Sequence, residues 1–583
     1  MMRFKGKVAH KFAESPLLQM RLPLWRSRLM ALLILGSFAV LIGRAFYLQT
    51  LNNDFLQEKG ESRYRRDIEI SASRGRIADR HGDVLAISTP MKSIWAIPPA
   101  TTLTPVQTRQ LAALLETDPK QLAHKLDTDK TFVFLRRQIP PPVAEQVAAL
   151  KLPGIGQDKE YRRFYPTGEM TAHMVGFTGV DDKGLEGVEL AFHGQLLGQP
   201  GSRSVIKDRR GQIVEDVGSI KPPQDGKEIR LALDSKIQYL AYSHLKQAIA
   251  ENNAKAGGVV VLDVRTGEIV ALANWPTYNP NNREGLSGGQ LRNRAVTDTF
   301  EPGSTLKPFT IGLALENAKV RSDTVINCAP GRLTIGSATI SDAHPHGALT
   351  VAEVIQKSSN VGAAKIAAML PAQKMWQMFD DVGFGQVPRL GFPGEVSGRV
   401  RPWKNWRPIE QATMSYGHGI SVSLIQLARA YSVFARDGDL MPLSLTRLDS
   451  STPTGAAVFS PKTAREVRSM LEMAVLPGGT APKAQIPGYR VAGKTGTAHK
   501  LEGGRYANKF VSSFVGFAPA SDPRLIVAVM IDEPSGGKHY GGDVAAPVFA
   551  AVMGNSLRTL GIAPDAPLVV AQSPKTPTPK ARL

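Results

Sequence analysis

A single cysteine, Cys328, occurs in 583 residues. It can close no internal disulfide, and a lone thiol excludes zinc fingers, zinc ribbons and iron–sulfur sites. Acidic residues are the scarcer charge, 51 against 71 Lys and Arg, which leaves a formal net charge of +20. Such a balance invites a nucleic-acid reading. Zinc-finger spacing, an aromatic RNP-type motif and a basic-helix repeat are all missing, however, so nucleic acid is set aside as a partner. Charged residues reach only 21% and hydrophobic ones 42%. Those values are close to globular averages and exclude wholesale disorder, a collagen-like chain and a polytopic membrane protein. Single cores stop growing near roughly 250 to 300 residues, so the length predicts two folded domains with accessory segments.

Acid is nearly absent from residues 1–28, where Arg3, Lys5, Lys7, Lys11, Arg21, Arg26 and Arg28 face only Glu14. Directly after, Leu29 to Gly43 carries no charge, and Ala45 to Leu48 resumes the apolar run past Arg44. Residues 29–48 are therefore long enough for one membrane span. Arg44 can snorkel toward head groups and Tyr47 can anchor at the interface. A cleaved signal peptide needs a small-x-small site after the run, and none follows, so an uncleaved anchor in contact with membrane lipid is expected. The positive-inside rule then places 1–28 in the cytoplasm and everything after 48 outside. The expected location is the cytoplasmic (inner) membrane, single-pass, with the bulk of the chain in the periplasm.

Residues 49–225 read as a strand-rich domain with short helices. Thr104-Pro105 and Asp118-Pro119 each put a capping side chain before a proline at the first helical position. The link KPPQDGKE at 221–228 precedes a second domain over 250–562. There AGGVVVLDVRTGEIVALA, from Ala256, reads as two β-branched runs joined at Arg265-Thr266-Gly267, a hairpin. Helical windows follow at 308–320, 350–370 and 421–436, and strand-like runs return at 510–518 and 524–533. The order predicts an α+β fold in which distant segments close one sheet with helices packed on it. The tail 563–583 is proline-rich and expected to be disordered.

The candidate chemistry lies in three motifs. EPGSTLKP at 301–308 sets Ser304 three residues before Lys307, so on a helix the two side chains share a face. A serine hydroxyl needs a base, and a lysine whose pKa is lowered by burial and positive neighbours can be one. S-x-x-K alone is a weak signal, because it also occurs at Ser204, Ser243 and Ser535. Context singles out Ser304. Ser358-Ser359-Asn360 is the one S-x-N in the chain, and Lys494-Thr495-Gly496-Thr497 contains the one K-T-G.

In that order the motifs form the signature of penicillin-binding proteins and active-site serine β-lactamases. Ser304 attacks the carbonyl of a D-Ala-D-Ala peptide bond in that scheme, and Lys307 accepts its proton. Ser358 relays a proton toward the leaving amine, between Lys307 and Lys494, while the Asn360 amide holds Lys307 and the substrate backbone. Lys494, Thr495 and Thr497 bind the substrate carboxylate. Gly496 lets an edge strand approach the substrate, and the backbone N–H groups of Ser304 and Thr497 form the oxyanion hole.

The strings RNRAVTDTFEPGSTLKP (292–308), SSN (358–360), SYGHGISVSLIQLARAYSVFARDG (415–438), AGKTGT (492–497) and YGGDVAAPVF (540–549) resemble class B penicillin-binding proteins, most closely the division-specific FtsI (penicillin-binding protein 3) type. Upstream, SRGRIADRHGDVLA (73–86) and GLEGVE (184–189) look like that family's non-catalytic pedestal, a dimerisation-type domain. The likeness covers residues 29 to about 562. It implies a transmembrane helix, a pedestal over 49–225, and a penicillin-binding, serine β-lactamase-like transpeptidase domain with an antiparallel sheet flanked by helices. It also implies septal D,D-transpeptidation of peptidoglycan stem peptides, acylation of Ser304 by β-lactams, and no cofactor or metal. A polytopic lipid II-polymerising glycosyltransferase and divisome proteins are the implied partners. The family likeness also admits an elongation-specific transpeptidase or a catalytically idle scaffold. No glycosyltransferase segment precedes the pedestal in this sequence, which fits class B rather than bifunctional class A.

Other residues invite attention. His344 and His346 read as a polar loop rather than a metal pair, since no third ligand presents itself. Trp403 and Trp406 read as loop packing. Glu410 falls between SSN and KTG, but nothing around it resembles the glutamate loop by which class A β-lactamases deacylate. Arg63, Arg65, Arg66, Arg74, Arg76 and Arg80 read as a solvated basic face.

Overall fold

The computed structural model describes residues 23–51, 65–207, 213–448 and 453–567. The basic residues Arg3, Lys5, Lys7, Lys11 and Arg21, the acid Glu14, Arg63, residues 209–212 and the 568–583 part of the tail fall outside them. The chain divides into two compact units, Met1–Ile70 with Pro200–Pro223 and Ser71–Gln199 with Gln224–Leu583.

In the first unit a helix runs over Leu24–Phe46 and continues as a π turn over Tyr47–Leu51. Among the described residues it is the one helix long and apolar enough to cross a membrane, and none of it is buried. It starts five residues before the expected Leu29, with Pro23 in an extended conformation ahead of Leu24. The strands Arg65–Ile70, Gly201–Lys207 and Ile213–Lys221 form an antiparallel sheet.

Within the second unit, Val84–Ala96 is the hub of a small sheet. It pairs antiparallel with Ile77–Ala78, Val133–Ile139 and Ile155–Phe164, and Ile77–Ala78 pairs parallel with Ile229–Arg230. The two expected helices are present as Pro105–Leu114 and Pro119–Leu126. Thr104 accepts from Gln107 N in a capping box, and Asp118 accepts from Lys120 N. Their inward side chains Leu111, Leu115 and Leu122 join Ile94, Leu135 and Val147 in a separate core. Arg74 and Arg80, expected on a solvated face, instead form ion pairs with Glu189 and Glu268, and Arg74 is wholly buried.

The main sheet is antiparallel, in the order Ile269–Trp275, Ala256–Asp263, Leu525–Asp532, Arg505–Ala518, Ala492–Glu502. Its first two strands are the expected hairpin, turning at Gly267 with φ +76°. Alternation sorts the side chains between two cores. Val259 and Val261 face Ile237, Leu245 and Phe549 of the helices Ser235–Glu251 and Ala546–Thr559. Val260 and Leu262 face the core that holds Phe309, Ile425 and Phe434. Both faces are therefore covered by helices. The strand bearing K-T-G is left at the sheet edge.

Two helical windows resolve into broken elements. The window 350–370 divides into Val351–Lys357 and Asn360–Ala367. Ser358 adopts φ +62° and closes the first helix, and the Ser359 side chain accepts from Gly362 N to open the second. The window 421–436 begins as a short strand at Val422–Ser423, followed by Leu424–Ala430 and Ser432–Ala435. Periodicity registers such breaks poorly, because both flanks keep the same apolar face.

Candidate active site

Ser304 does not lie in an α-helix. It sits in the 3-10 turn Gly303–Leu306, and Lys307 opens the following helix Lys307–Glu316. In a 3-10 turn, positions i and i+3 eclipse, and Lys307 Nζ comes to 2.8 Å from Ser304 Oγ. The same ammonium position meets Ser358 Oγ at 3.0 Å, the Ser358 carbonyl at 2.6 Å and Asn360 Oδ1 at 2.8 Å. The left-handed residue between the two helices aims Ser358 O and Oγ at one point. Asn360 is oriented in turn by donating to the Ser341 carbonyl at 2.9 Å.

From the edge strand Ala492–Glu502, Lys494 Nζ reaches Ser358 Oγ at 2.9 Å and Thr495 Oγ1 at 3.3 Å. The Ser358 hydroxyl is thus shared by two lysines. Both are fully buried. Burial, and then the neighbouring Lys494, push the Lys307 ammonium well below the ordinary lysine range, while burial brings Lys494 down to about 7. A buried neutral amine 2.8 Å from a serine hydroxyl can take its proton.

Strand and turn meet because glycines allow it. Gly303 has φ +59°, and a Cβ there would lie 3.3 Å from the Thr497 carbonyl oxygen. At Gly496, a Cβ would collide with Ser513 Oγ and stand 2.6 Å from the Pro302 carbonyl, so the K-T-G strand reaches the nucleophile turn only without a side chain. Thr497 Oγ1 accepts from Gly541 N at 3.0 Å. Together Ser304, Ser358, Asn360, Tyr416, Thr495 and Thr497 line one cleft of about 800 Å³.

A scan of family models matches residues 257–554 to the penicillin-binding protein transpeptidase domain and residues 69–231 to the penicillin-binding protein dimerisation domain. Across 556 residues, 94% of this chain and 95% of the relative, the sequence is 46% identical to the probable peptidoglycan D,D-transpeptidase PenA of Neisseria gonorrhoeae. The chain belongs to the penicillin-binding protein transpeptidase family. It is also 43% identical to the peptidoglycan D,D-transpeptidase FtsI of Escherichia coli strain K12 over 550 residues, 93% of each chain. Among solved structures, the apo transpeptidase domain of Burkholderia pseudomallei penicillin-binding protein 3 matches with a TM-score of 0.54 and 51% identity, covering 58% of this chain and 98% of that one.

Several residues of this transpeptidase site carry no obvious sequence signal. Asp342 accepts from Ser359 Oγ at 2.8 Å and from Val361 N at 2.9 Å, which pins the break that presents Ser358. Thr480 Oγ1 lies 3.0 Å from Thr495 Oγ1. The Tyr416 ring stands 5.9 Å from Lys307 Nζ and closes one wall. Of these, only Tyr416 falls in a string that carried the family likeness.

The remaining candidates have structural places. His344 is exposed at the cleft mouth and His346 half-buried. Among the described residues, no group of three or more His, Cys, Asp or Glu side chains could hold a metal ion. Glu410 caps the helix Pro408–Met414, accepting from Arg407 N and Arg401, and these contacts hold its carboxyl down at about 2. Trp406 donates Nε1 to the Arg401 carbonyl and packs beside Phe379, whereas Trp403 lies next to Lys404. Cys328 is buried beneath Ser359.

Gly417 supplies a test of the geometry. It has φ +88°, and a Cβ there would stand 2.5 Å from Gly303 N and closer still to the Gly303 carbonyl. Gly417→Ala must therefore displace the turn that carries Ser304. A misplacement near 1 Å costs roughly 100-fold in rate, so acylation by a β-lactam should slow by that order while circular dichroism stays native. An unchanged acylation rate would show that the turn is not held in place there.

Proposed function

We propose that this protein is a septal class B D,D-transpeptidase that cross-links peptidoglycan stem peptides through an acyl-enzyme on Ser304. The observation that carries the reading is the buried Lys307 amine, 2.8 Å from Ser304 Oγ and shared with Ser358 and Asn360. As Ser304 Oγ attacks the D-Ala-D-Ala carbonyl, its proton moves to Lys307. The oxyanion gathers at the backbone N–H groups of Ser304 and Thr497, each worth about 3 to 4 kcal/mol in comparable hydrolases. The C–N bond then breaks, the terminal D-Ala amine takes a proton relayed through Ser358 from the lysine pair, and the peptidyl ester remains. An acceptor amine attacks the ester and restores Ser304.

Lys494, Thr495 and Thr497 bind the terminal carboxylate in this reading. β-Lactams enter as analogues of the same peptide and stay as esters. The span 29–48 anchors the chain, with 1–28 in the cytoplasm, and residues 49–225 form a pedestal for the catalytic residues 250–562. A lipid II-polymerising glycosyltransferase and divisome proteins are its partners. Support for the septal role comes from the motif strings of the division-specific type and from the match to FtsI.

Two measurements test the proposal. Intact mass of the purified protein after incubation with a β-lactam should rise by one antibiotic, and the adduct should map to the peptide holding Ser304. Depletion in the host should give filaments. Absence of an adduct would favour a scaffold, and round cells would place the enzyme in elongation.

A further inference from the structure

The small sheet around Val84–Ala96 carries helices on one face. Ile94 and Leu135 point into the separate core, against Pro105–Leu114 and Pro119–Leu126. Strand alternation sends their neighbours Trp95 and Phe134 to the opposite face, where the two stand directly across from each other. On its other side Trp95 is paired with Gly156, and a Cβ at Gly156 would lie 2.2 Å from the indole ring. The ring therefore rests on the backbone of the next strand, in room that only a glycine leaves. Phe132 packs 5.5 Å from Trp95 and 4.9 Å from Phe134 between ring centroids, and the two phenylalanines are 44% and 40% exposed.

The same face continues along the strand pair. Ile87 stands opposite Phe164, both exposed, and from Ile87 to Trp95 a strand runs about 26 Å. Between these apolar ends lie Asp158 and Arg162, opposite Ser93 and Thr89. Both are exposed, and among the described residues neither has an ion-pair partner. Arg137, beside the Phe134 ring, is neutralised by Glu160 and Asp181. An exposed apolar patch rimmed by polar groups marks a binding surface, and the chemistry here narrows the occupant. Flat, exposed rings suit the C–H face of a sugar ring, whose partly positive hydrogens meet the negative π face. A length of about 26 Å suits a polymer of several sugars. The Asp158 carboxylate can accept from sugar hydroxyls, and the Arg162 guanidinium can hold a carboxylate through paired hydrogen bonds.

We propose that this uncovered face is a non-catalytic glycan platform, which stacks the sugar rings of a peptidoglycan strand on Trp95, Phe132 and Phe134 and takes a carboxylate of an attached stem peptide on Arg162. None of these residues lines the Ser304 cleft. The choice of polymer rests on the transpeptidase reading, whereas the surface itself rests on the geometry of the sheet. A strand held there stays with the enzyme between turnovers, so successive stem peptides are drawn from a locally raised concentration.

The test uses the full-length protein in detergent, with Ser304 first blocked by a β-lactam, and fluorescently labelled glycan strands in two forms, one carrying stem peptides and one stripped of them by an amidase. Anisotropy reads the affinity for each. Wild type should bind both. Phe132→Ala combined with Phe134→Ala, both at exposed positions, should weaken both by about tenfold. Arg162→Ala should weaken only the peptide-bearing strands, by about fivefold. No binding by wild type, full binding by the double phenylalanine variant, or an Arg162→Ala variant that binds peptide-bearing strands as wild type does would overturn the platform. Variants that bind both probes normally yet fail to reach the septum would also overturn it, and would give the face to a protein partner. A protein that the β-lactam never acylates would instead overturn the transpeptidase reading, and the effect of the phenylalanine variant on strand binding would still decide the platform.

Discussion

Lys307→Arg should abolish acylation by β-lactams almost as completely as Lys307→Ala, although it keeps a long basic side chain. Arginine stays protonated, so it cannot accept the Ser304 proton. Lys307 can, because burial and the adjacent Lys494 hold its ammonium well below the ordinary value of 10.5. General-base catalysis typically contributes about 10² to 10⁴-fold, and the second-order acylation rate should fall by that order in both variants. The pH profile supplies a second check. The neutral amine is the active form, so wild-type acylation should rise as pH rises through the lowered Lys307 value and level off well before 10.5. A profile still climbing at the ordinary lysine value, or an arginine variant that acylates normally, would remove Lys307 from the base role.

The same burial acts on stability. Lys494 is depressed to about 7 from 10.5, so between those values the unfolded chain binds a proton that the folded chain does not. Stability contributed by this group therefore increases with pH across that window.

How much of this was legible in the sequence depends on the kind of constraint. The hairpin at Arg265-Thr266-Gly267 and the caps Thr104 and Asp118 are local rules, and they appear where the residues placed them. The three motifs are legible as a set because their order is rare, and they converge on Ser358 Oγ, which both lysines reach. Two details were not legible. S-x-x-K suggested a helical face, but the serine occupies a 3-10 turn, since Gly303 at φ +59° and the crossing strand require a tighter bend. Asp342 and Thr480 act only through tertiary contacts formed across the break and the strand edge, and no spacing rule points to them.

Glu189→Gln should destabilise the protein severely without touching the cleft. The strings SRGRIADRHGDVLA and GLEGVE were readable only by likeness, and the structure supplies their physical reason. Glu189 is fully buried, with Oε2 2.6 Å from Arg74 Nε and Oε1 2.7 Å from Arg163 Nε. Arg74 also donates to the Glu189 carbonyl at 2.7 Å, and Arg163 to the Gly75 carbonyl at 2.8 Å. One carboxylate thus neutralises two guanidiniums and ties three distant segments together. An amide of the same shape removes the charge, presents N–H to a donor, and leaves two buried cations facing each other. Removing one member of a buried ion pair costs about 3 to 5 kcal/mol. The exposed pair Arg265 and Asp522 is the control, since Arg265→Ala there should cost under about 1 kcal/mol. Chemical denaturation of both variants decides the matter: a Glu189→Gln midpoint no lower than that of Arg265→Ala would show that the triad does not hold these segments.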